Sequence, residues 1–449
     1  MTSLRRFSLL LVAALILNTW AVAQSTSNAS TVSIDPAVQA QTVGTRSPFE
    51  TAGERRVQNF FNLGLDSQSG YIDHVSGAAN VGGSFFEDMS GAVDVQQKRG
   101  GLNWALSYDP TYDWYRRAKS FNRFDQAGAV QISDQLNEHW FVRLSDTASY
   151  GRYLINPAAL SGQPSGPLNI GVATPRVLQY SQSPSASLVY VVDYRNSFEF
   201  SGNYVMRRFS EREESNLSDL HGAGGSAAYL YRVSPRSTMG AEYSYENASF
   251  GRGVGHMVEQ TAMLTYEHVL GPNTEVSLAA GPQRVHETEN LNQLFGIPAG
   301  IPLPTTLPSQ RPYRTYFAAQ GALQHRAGPT ALSLSAQRSV TDSGGLTANA
   351  AQVTSVSLGA GRLIAEVWHV NAAATYERMS AANLIGATGA FQGVIASGGI
   401  DRSLGPAWRL SARFATSHQR RTGNLPFGGA LNSNSISLGI SYNLRLRQE

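Results

Sequence analysis

Charge at even spacing is where this 449-residue sequence offers chemistry. Glu242 and Glu246, Glu259 and Glu267, and then Glu275 fall within one short stretch, while Arg314, Arg409 and Arg413 come much later. Even spacing places side chains on one face of a strand, so the acids would form one wall and the arginines another. Opposed walls across a wet passage set up a transverse field that favours small polar or zwitterionic solutes able to orient in it. The plainer use of the same residues is solvation of a polar interior through local ion pairs.

Other chemistry is weakly supported. Nine His occur, but none falls in a nucleophile elbow or another motif fixing a Ser, a His and an acid together. His418 or His369 near Ser417 and Thr375 is the nearest approach to a lipid-cleaving arrangement, and the abundance of hydroxyls explains it as coincidence. His286, Glu287 and Glu289 could hold a divalent ion, alone or bridging lipopolysaccharide phosphates, yet they lack ligand spacing. No catalytic residue, metal or cofactor is expected. With Cys at 0, thiol catalysis, disulfides and lipid attachment to an N-terminal Cys are excluded. Tyr112, Trp114 and Tyr115, with Phe121 and Phe124, read as an aromatic-rich loop that could stack a sugar-like solute or simply pack itself.

The elements that must position these residues are strands. From Ser435 to Leu446 one alternate set is Ile436, Leu438, Ile440, Tyr442, Leu444 and Leu446; the other is Ser435, Ser437, Gly439, Ser441, Asn443 and Arg445. One face is apolar and the other polar, which suits a strand between an apolar medium and a wet one. Leu332, Leu334 and Ala336 against Ser333, Ser335 and Gln337 repeat the pattern, as do Trp408, Leu410, Ala412 and Phe414 against Arg409, Ser411 and Arg413. Aromatic residues such as Trp104, Trp140, Tyr190, Trp368, Trp408 and Tyr442 gather near strand ends, the place for interfacial girdles.

Eight short Gly-, Pro- or Asn-rich turns alternate with nine longer connections, near 66–87, 113–124, 154–178, 211–219, 249–256, 289–312, 342–350, 380–389 and 420–432. Together they join eighteen segments, with sixteen as the nearest alternative because the first, around Val57 to Leu65, is weakly patterned. The loop at 289–312, stiffened by five Pro and carrying Leu294, Phe295 and Ile297, is the one expected to fold into or over the passage.

Within the last segment, Ser437, Gly439, Tyr442 and Leu444 resemble the terminal signal of Gram-negative outer-membrane β-barrels, although Arg445 to Glu449 follow where that family usually ends on an aromatic residue. The resemblance implies recognition by the barrel-assembly machinery. The architecture is similar to that of eighteen-stranded porins that pass sugars and small solutes.

Composition agrees with a barrel. Charged residues are only 15%, Gly numbers 43, and no run of about twenty apolar residues follows the N-terminus. Arg5 and Arg6 precede an apolar core from Phe7 to Leu17 and then Ala21-Val22-Ala23, the pattern of a cleaved secretory signal over 1–23. Residues 24–56 are rich in Ser, Thr, Ala and Gln and read as a disordered periplasmic tail. Without Arg5 and Arg6 the charge nearly balances, and no basic run points to nucleic acid.

The expectation is an all-β, single transmembrane antiparallel up-and-down barrel over 57–449, both termini periplasmic, in the outer membrane. Its partners would be outer-membrane lipid and lipopolysaccharide, the assembly machinery and small polar solutes diffusing passively. The alternatives are a closed-lumen interaction barrel or accessory to surface-polysaccharide export and, second, a lipid-acting enzyme.

Overall fold

The computed structural model describes residues 59–74, 82–119, 122–155, 172–210, 219–251, 255–289, 313–342, 350–365, 367–381, 389–423 and 431–447. The expected signal peptide, the tail at 24–56 and nearly all of the 289–312 loop lie outside them.

Among the described residues nineteen strands follow in order: β1 (Phe60–Ile72), β2 (Ser84–Arg99), β3 (Leu102–Tyr115), β4 (Arg123–Gln135), β5 (Trp140–Ile155), β6 (Val172–Gln182), β7 (Ser185–Val191), β8 (Asn196–Phe209), β9 (Leu220–Ser234) and β10 (Ser237–Phe250). The rest are β11 (Gly255–Gly271), β12 (Thr274–Glu289), β13 (Arg314–Ala327), β14 (Thr330–Asp342), β15 (Ala350–Ile364), β16 (Trp368–Ala381), β17 (Gly389–Ser403), β18 (Trp408–Gly423) and β19 (Leu431–Arg447). All pairings are antiparallel, and β19 closes on β1 from Phe60 opposite Arg447 to Ile72 opposite Ser435. Closure removes the open edges of a sheet.

Nineteen strands make eighteen staves because β6 and β7 share one. Both lie between β5 and β8; Ala148 faces Gln182 and Ser145 faces Ser185, so the register is unbroken across Ser183 and Pro184. Pro184 has no N–H for the ladder, which interrupts the strand while the stave continues. Its carbonyl still accepts the Tyr204 N–H at 3.0 Å.

The two faces separate as the alternation demands. Leu264, Leu438 and Ile436 point outward and are exposed, whereas Thr261, Ser437 and Ser433 on the same strands point inward and are buried. Tight turns close one end. Gly100, Gly328 and Gly405 take positive φ there, and Ala365 does so at 50°. The chain enters at Phe60 and leaves at Arg447, side by side at this short-turn end.

At the other end strands run farther than the sequence suggests. β1 continues through Asp66-Ser67-Gln68-Ser69 to Ile72, and β3 extends to Tyr115, inside the expected 113–124 loop. Along β1 these four residues are polar on both faces, so no alternation marks them as strand.

β14 departs from the wall there. Its pairing with β13 stops at Arg338 opposite Ala319, although β13 begins at Arg314. Ser339 to Asp342 stay paired with β15. Val340, Thr341, Ala350, Ala351 and Val353 are buried in both registers, as they would not be in a barrel wall. The end of β14 and the start of β15, together called the β14–β15 tip, thus lean into the lumen, where Val340 and Ala350 join the inward Val205, Leu220, Ala248, Phe250, Met257 and Val285 in the main apolar cluster.

Candidate functional site

The inward faces of the staves line one lumen, and eighteen staves enclose enough space for an aqueous passage. The sequence places two charged walls in it. β10 is the ninth stave and β18 the seventeenth, nearly opposite in a ring of eighteen. Glu242 and Arg413 each lie five residues beyond the start of their strands, Ser237 and Trp408, and so face one another at comparable height.

The arginine wall is locally compensated. Arg413 Nη2 lies 3.7 Å from Asp401 Oδ1, and His369 Nδ1 lies 3.5 Å from Asp401 Oδ2. Asn371 also donates to Asp401, at 3.4 Å, and Asp401 is almost fully buried. Arg409 is on the same inward register, nearer the short turns. At the β1–β19 seam, Gln68 donates to Asp66 at 3.1 Å and receives the Ser437 hydroxyl at 3.2 Å.

The acidic wall divides by role. Glu246 and Glu259 are direct cross-strand partners, an arrangement in which like charges repel. Glu259 is held by Thr261 Oγ1 at 3.0 Å and Gln283 Nε2 at 2.6 Å. Gln283 continues to the inturned tip: its Nε2 donates to the Val340 carbonyl at 2.8 Å and its Oε1 accepts the Val340 N–H at 2.7 Å. The carboxamide thereby completes a backbone pairing that the end of β13 does not supply. Glu287 accepts the Ala350 N–H on the same side. Glu242 faces the passage with Glu199, which flanks it across Ala228. Glu267 stands opposite Thr238 at the short-turn end, and Arg314 opens β13 opposite Val285.

A third polar group closes the long-loop end of β2 to β5. Asp113 and Asp125 both pair with Arg123, the latter at 3.1 Å, and all three are largely buried. Gly151 leaves room for Asp125, because a Cβ there would collide with its carboxylate.

Tyr112, Trp114 and Tyr115 do not form one loop surface. All three lie on β3; Tyr112 and Trp114 take the outward register and Tyr115 the inward one, beside Phe86. Ser437 and Gly439 face inward, while Tyr442 and Leu444 face outward, Tyr442 against Trp408 at 4.8 Å. Ser417 and His418 point to opposite faces, His418 bonding Asn432, and Thr375 donates to Ser357 at 3.0 Å. Among the described residues no group of three His, Asp or Glu is arranged to hold a metal.

The sequence does not single out Gln283, Glu287, Glu199 or Asp401 as pore-lining residues, although Glu199 falls in the polar register opposite Phe198 and Phe200. Register alone identifies Glu199 and Asp401 as inward. The part played by Gln283 and Glu287 depends on a strand leaving the wall, for which the local sequence carries no mark.

No protein-family model matches the chain, and no curated protein does. Solved structures similar to it include Pseudomonas aeruginosa OccK2 (OpdF), at 13% identity and TM-score 0.43, covering 86% of this chain and 98% of that one. The ferric citrate transporter FecA matches at 10% identity and TM-score 0.44, covering 88% of this chain and 66% of that one. Acinetobacter baumannii OccAB3 matches at 10% identity and TM-score 0.42, covering 86% and 99%. At these values the likeness carries no functional argument, and what the chain does is argued from its own geometry.

Proposed function

We propose that this protein is an outer-membrane channel through which small polar solutes diffuse passively, narrowed at the long-loop end by the β14–β15 tip. The observation that carries the reading is a ladder closed from β1 to β19 with exposed leucines outside and hydroxyls, amides and charges inside. In water such an exterior would be an unprotected apolar patch; in a bilayer it is matched. Closure also gives every stave a paired neighbour on both sides along the apolar belt, as lipid requires. Solutes would pass Asp401 and Arg413 on one side and Glu199 and Glu242 on the other.

The apolar cluster favours a second reading, a barrel whose lumen is shut and whose outer surfaces bind a partner. Liposome swelling with sugars of rising size separates the two. A channel gives swelling that falls with sugar size and a defined single-channel conductance in planar bilayers. Folded, inserted protein giving neither would sink the channel reading and leave the closed barrel. Acyl release from labelled lipids by the same preparation would instead favour a lipid-acting enzyme.

A further inference from the structure

The outward register carries one ordered feature that a passage does not need. Arg338 on β14 is paired with Thr354 on β15, Thr354 with Arg378 on β16, Arg378 with Gln392 on β17, and Gln392 with Arg420 on β18. Directly paired residues project from the same face, so these five form a single row along the outside of the barrel. All three arginines are exposed. Neighbouring strands lie about 4.8 Å apart, which sets successive arginines roughly 10 Å apart.

The row marks a boundary. Each arginine sits within four residues of the long-loop end of its strand. Two residues nearer the short turns stand Ala336, Val356, Tyr376 and Val394, with His418 completing the row on β18, and below them Leu334 and Leu358. Charge therefore begins where the apolar belt stops. It is also of one sign: no Asp or Glu occupies the outward register of β15 to β19, and β14 has none before Asp342 in its inturned tip. Arg338 donates to a neutral neighbour on the same face, Gln352, at 3.4 Å.

Like charges in a row repel, and among the described residues no acid shares the outward face beside them. A guanidinium presents a planar fork that takes a phosphate through two hydrogen bonds, and Thr354 and Gln392 add neutral polar groups between the forks. We propose that this row is a binding site for a lipid carrying more than one phosphate, its phosphates on Arg338, Arg378 and Arg420 and its acyl chains on the apolar rows beneath. The adjoining belt favours a lipid over free phosphate, because a soluble anion would leave those rows unused. The inference rests on the membrane reading above.

The test uses purified full-length protein in detergent and lipopolysaccharide, either intact or enzymatically dephosphorylated. Intact lipid should bind about tenfold more tightly than the dephosphorylated form, and the triple variant Arg338→Ala, Arg378→Ala, Arg420→Ala should lose about that factor. Three lysines in the same places should restore binding only in part, because an ammonium cannot reproduce the fork. Equal binding of the two lipids, or a triple variant that binds like wild type, overturns the site. Displacement by millimolar inorganic phosphate overturns its assignment to a lipid. Heat-dependent gel migration reports folding of each variant; if the triple variant does not fold, Arg378→Ala, at the centre of the row, must lose at least about threefold. Wild-type protein that binds the lipid yet never inserts into bilayers would sink the membrane reading and leave the row standing.

Discussion

The two mouths of the barrel are built on different rules. At the short-turn end each stave reverses within a few residues, Trp408 packs on Tyr442 and Trp140 on Tyr190, and Asp401 gathers Arg413, His369 and Asn371 into a compact inward group. At the long-loop end the wall gives up its own pairing at β14, and the lumen fills with Val340, Phe250, Met257 and Val285 around a Gln283 latch. Regular alternation makes a wall; a constriction requires breaking it, and the broken ladder must then find partners elsewhere. Gln283 and Glu287 are those partners.

The sharpest way to break the contrast is to charge the tip. Val340 is only 1% exposed, and Val340→Asp would place a carboxylate in the cluster at a cost of several kcal/mol unless the tip moves out. The expected outcome is a folded barrel with single-channel conductance raised about twofold or more by a wider passage. Unchanged conductance in protein that retains its heat-dependent migration would show that the tip is not the narrow point.

Removing the latch is milder. Gln283→Ala leaves the Val340 N–H and carbonyl without their side-chain partner, a loss of about 1–3 kcal/mol confined to the tip. Hydrogen exchange at the Val340 amide should quicken by a factor of about ten or more, while the β1–β19 seam keeps its rate. Equal acceleration at both places would mean that the mouths are not energetically separate.

At the short-turn mouth, Asp401→Asn removes the charge opposing Arg413. Ion selectivity should shift towards anions by a factor of about two, and Arg413→Ala should shift it the other way. Identical selectivity in all three proteins would show that this group solvates the wall without filtering ions.

The same contrast explains how far the sequence could be read. Alternation along the last strand is complete, and its closure on the first follows from an even number of staves. The sequence ends the first strand at Leu65 because residues 66–69 are polar on both faces and read as loop, yet backbone pairing carries it to Ile72. Pro184 splits a stave without changing its register, which no count of turns reveals. Parity puts Glu242 and Arg413 on the inward register, but it says nothing about partners. Asp401 beside Arg413, and Gln283 between Glu259 and Val340, arise from tertiary placement. The inturned tip is the extreme case. Val340 keeps the outward parity of Leu332 and Leu334 and becomes buried only because its strand leaves the wall.

The smallest expected effect concerns the end of the closing seam, where the regular wall meets the irregular mouth. Beyond Ile72, Asp73 accepts the Asn434 N–H at 2.6 Å and its Nδ2 at 2.7 Å. Slight burial pushes the Asp73 carboxyl up, but these bonds and His74 together outweigh it and hold the group below its ordinary value. A carboxylate lowered in the folded state contributes stability that is fully present above the unfolded pKa of about 3.9 and is lost as pH falls through the folded value. The seam end should therefore be closed at neutral pH and fray below about pH 4, with only a small change because solvent still reaches the group and screens it. Protection of the Asn434 amide, corrected for intrinsic exchange, should fall between pH 7 and pH 3 in wild type and be low at both in Asp73→Ala. Protection that does not change with pH would assign the seam end to its backbone bond from Asp73 N–H to the Asn434 carbonyl at 3.0 Å, making closure at this mouth as independent of charge as the ladder below it.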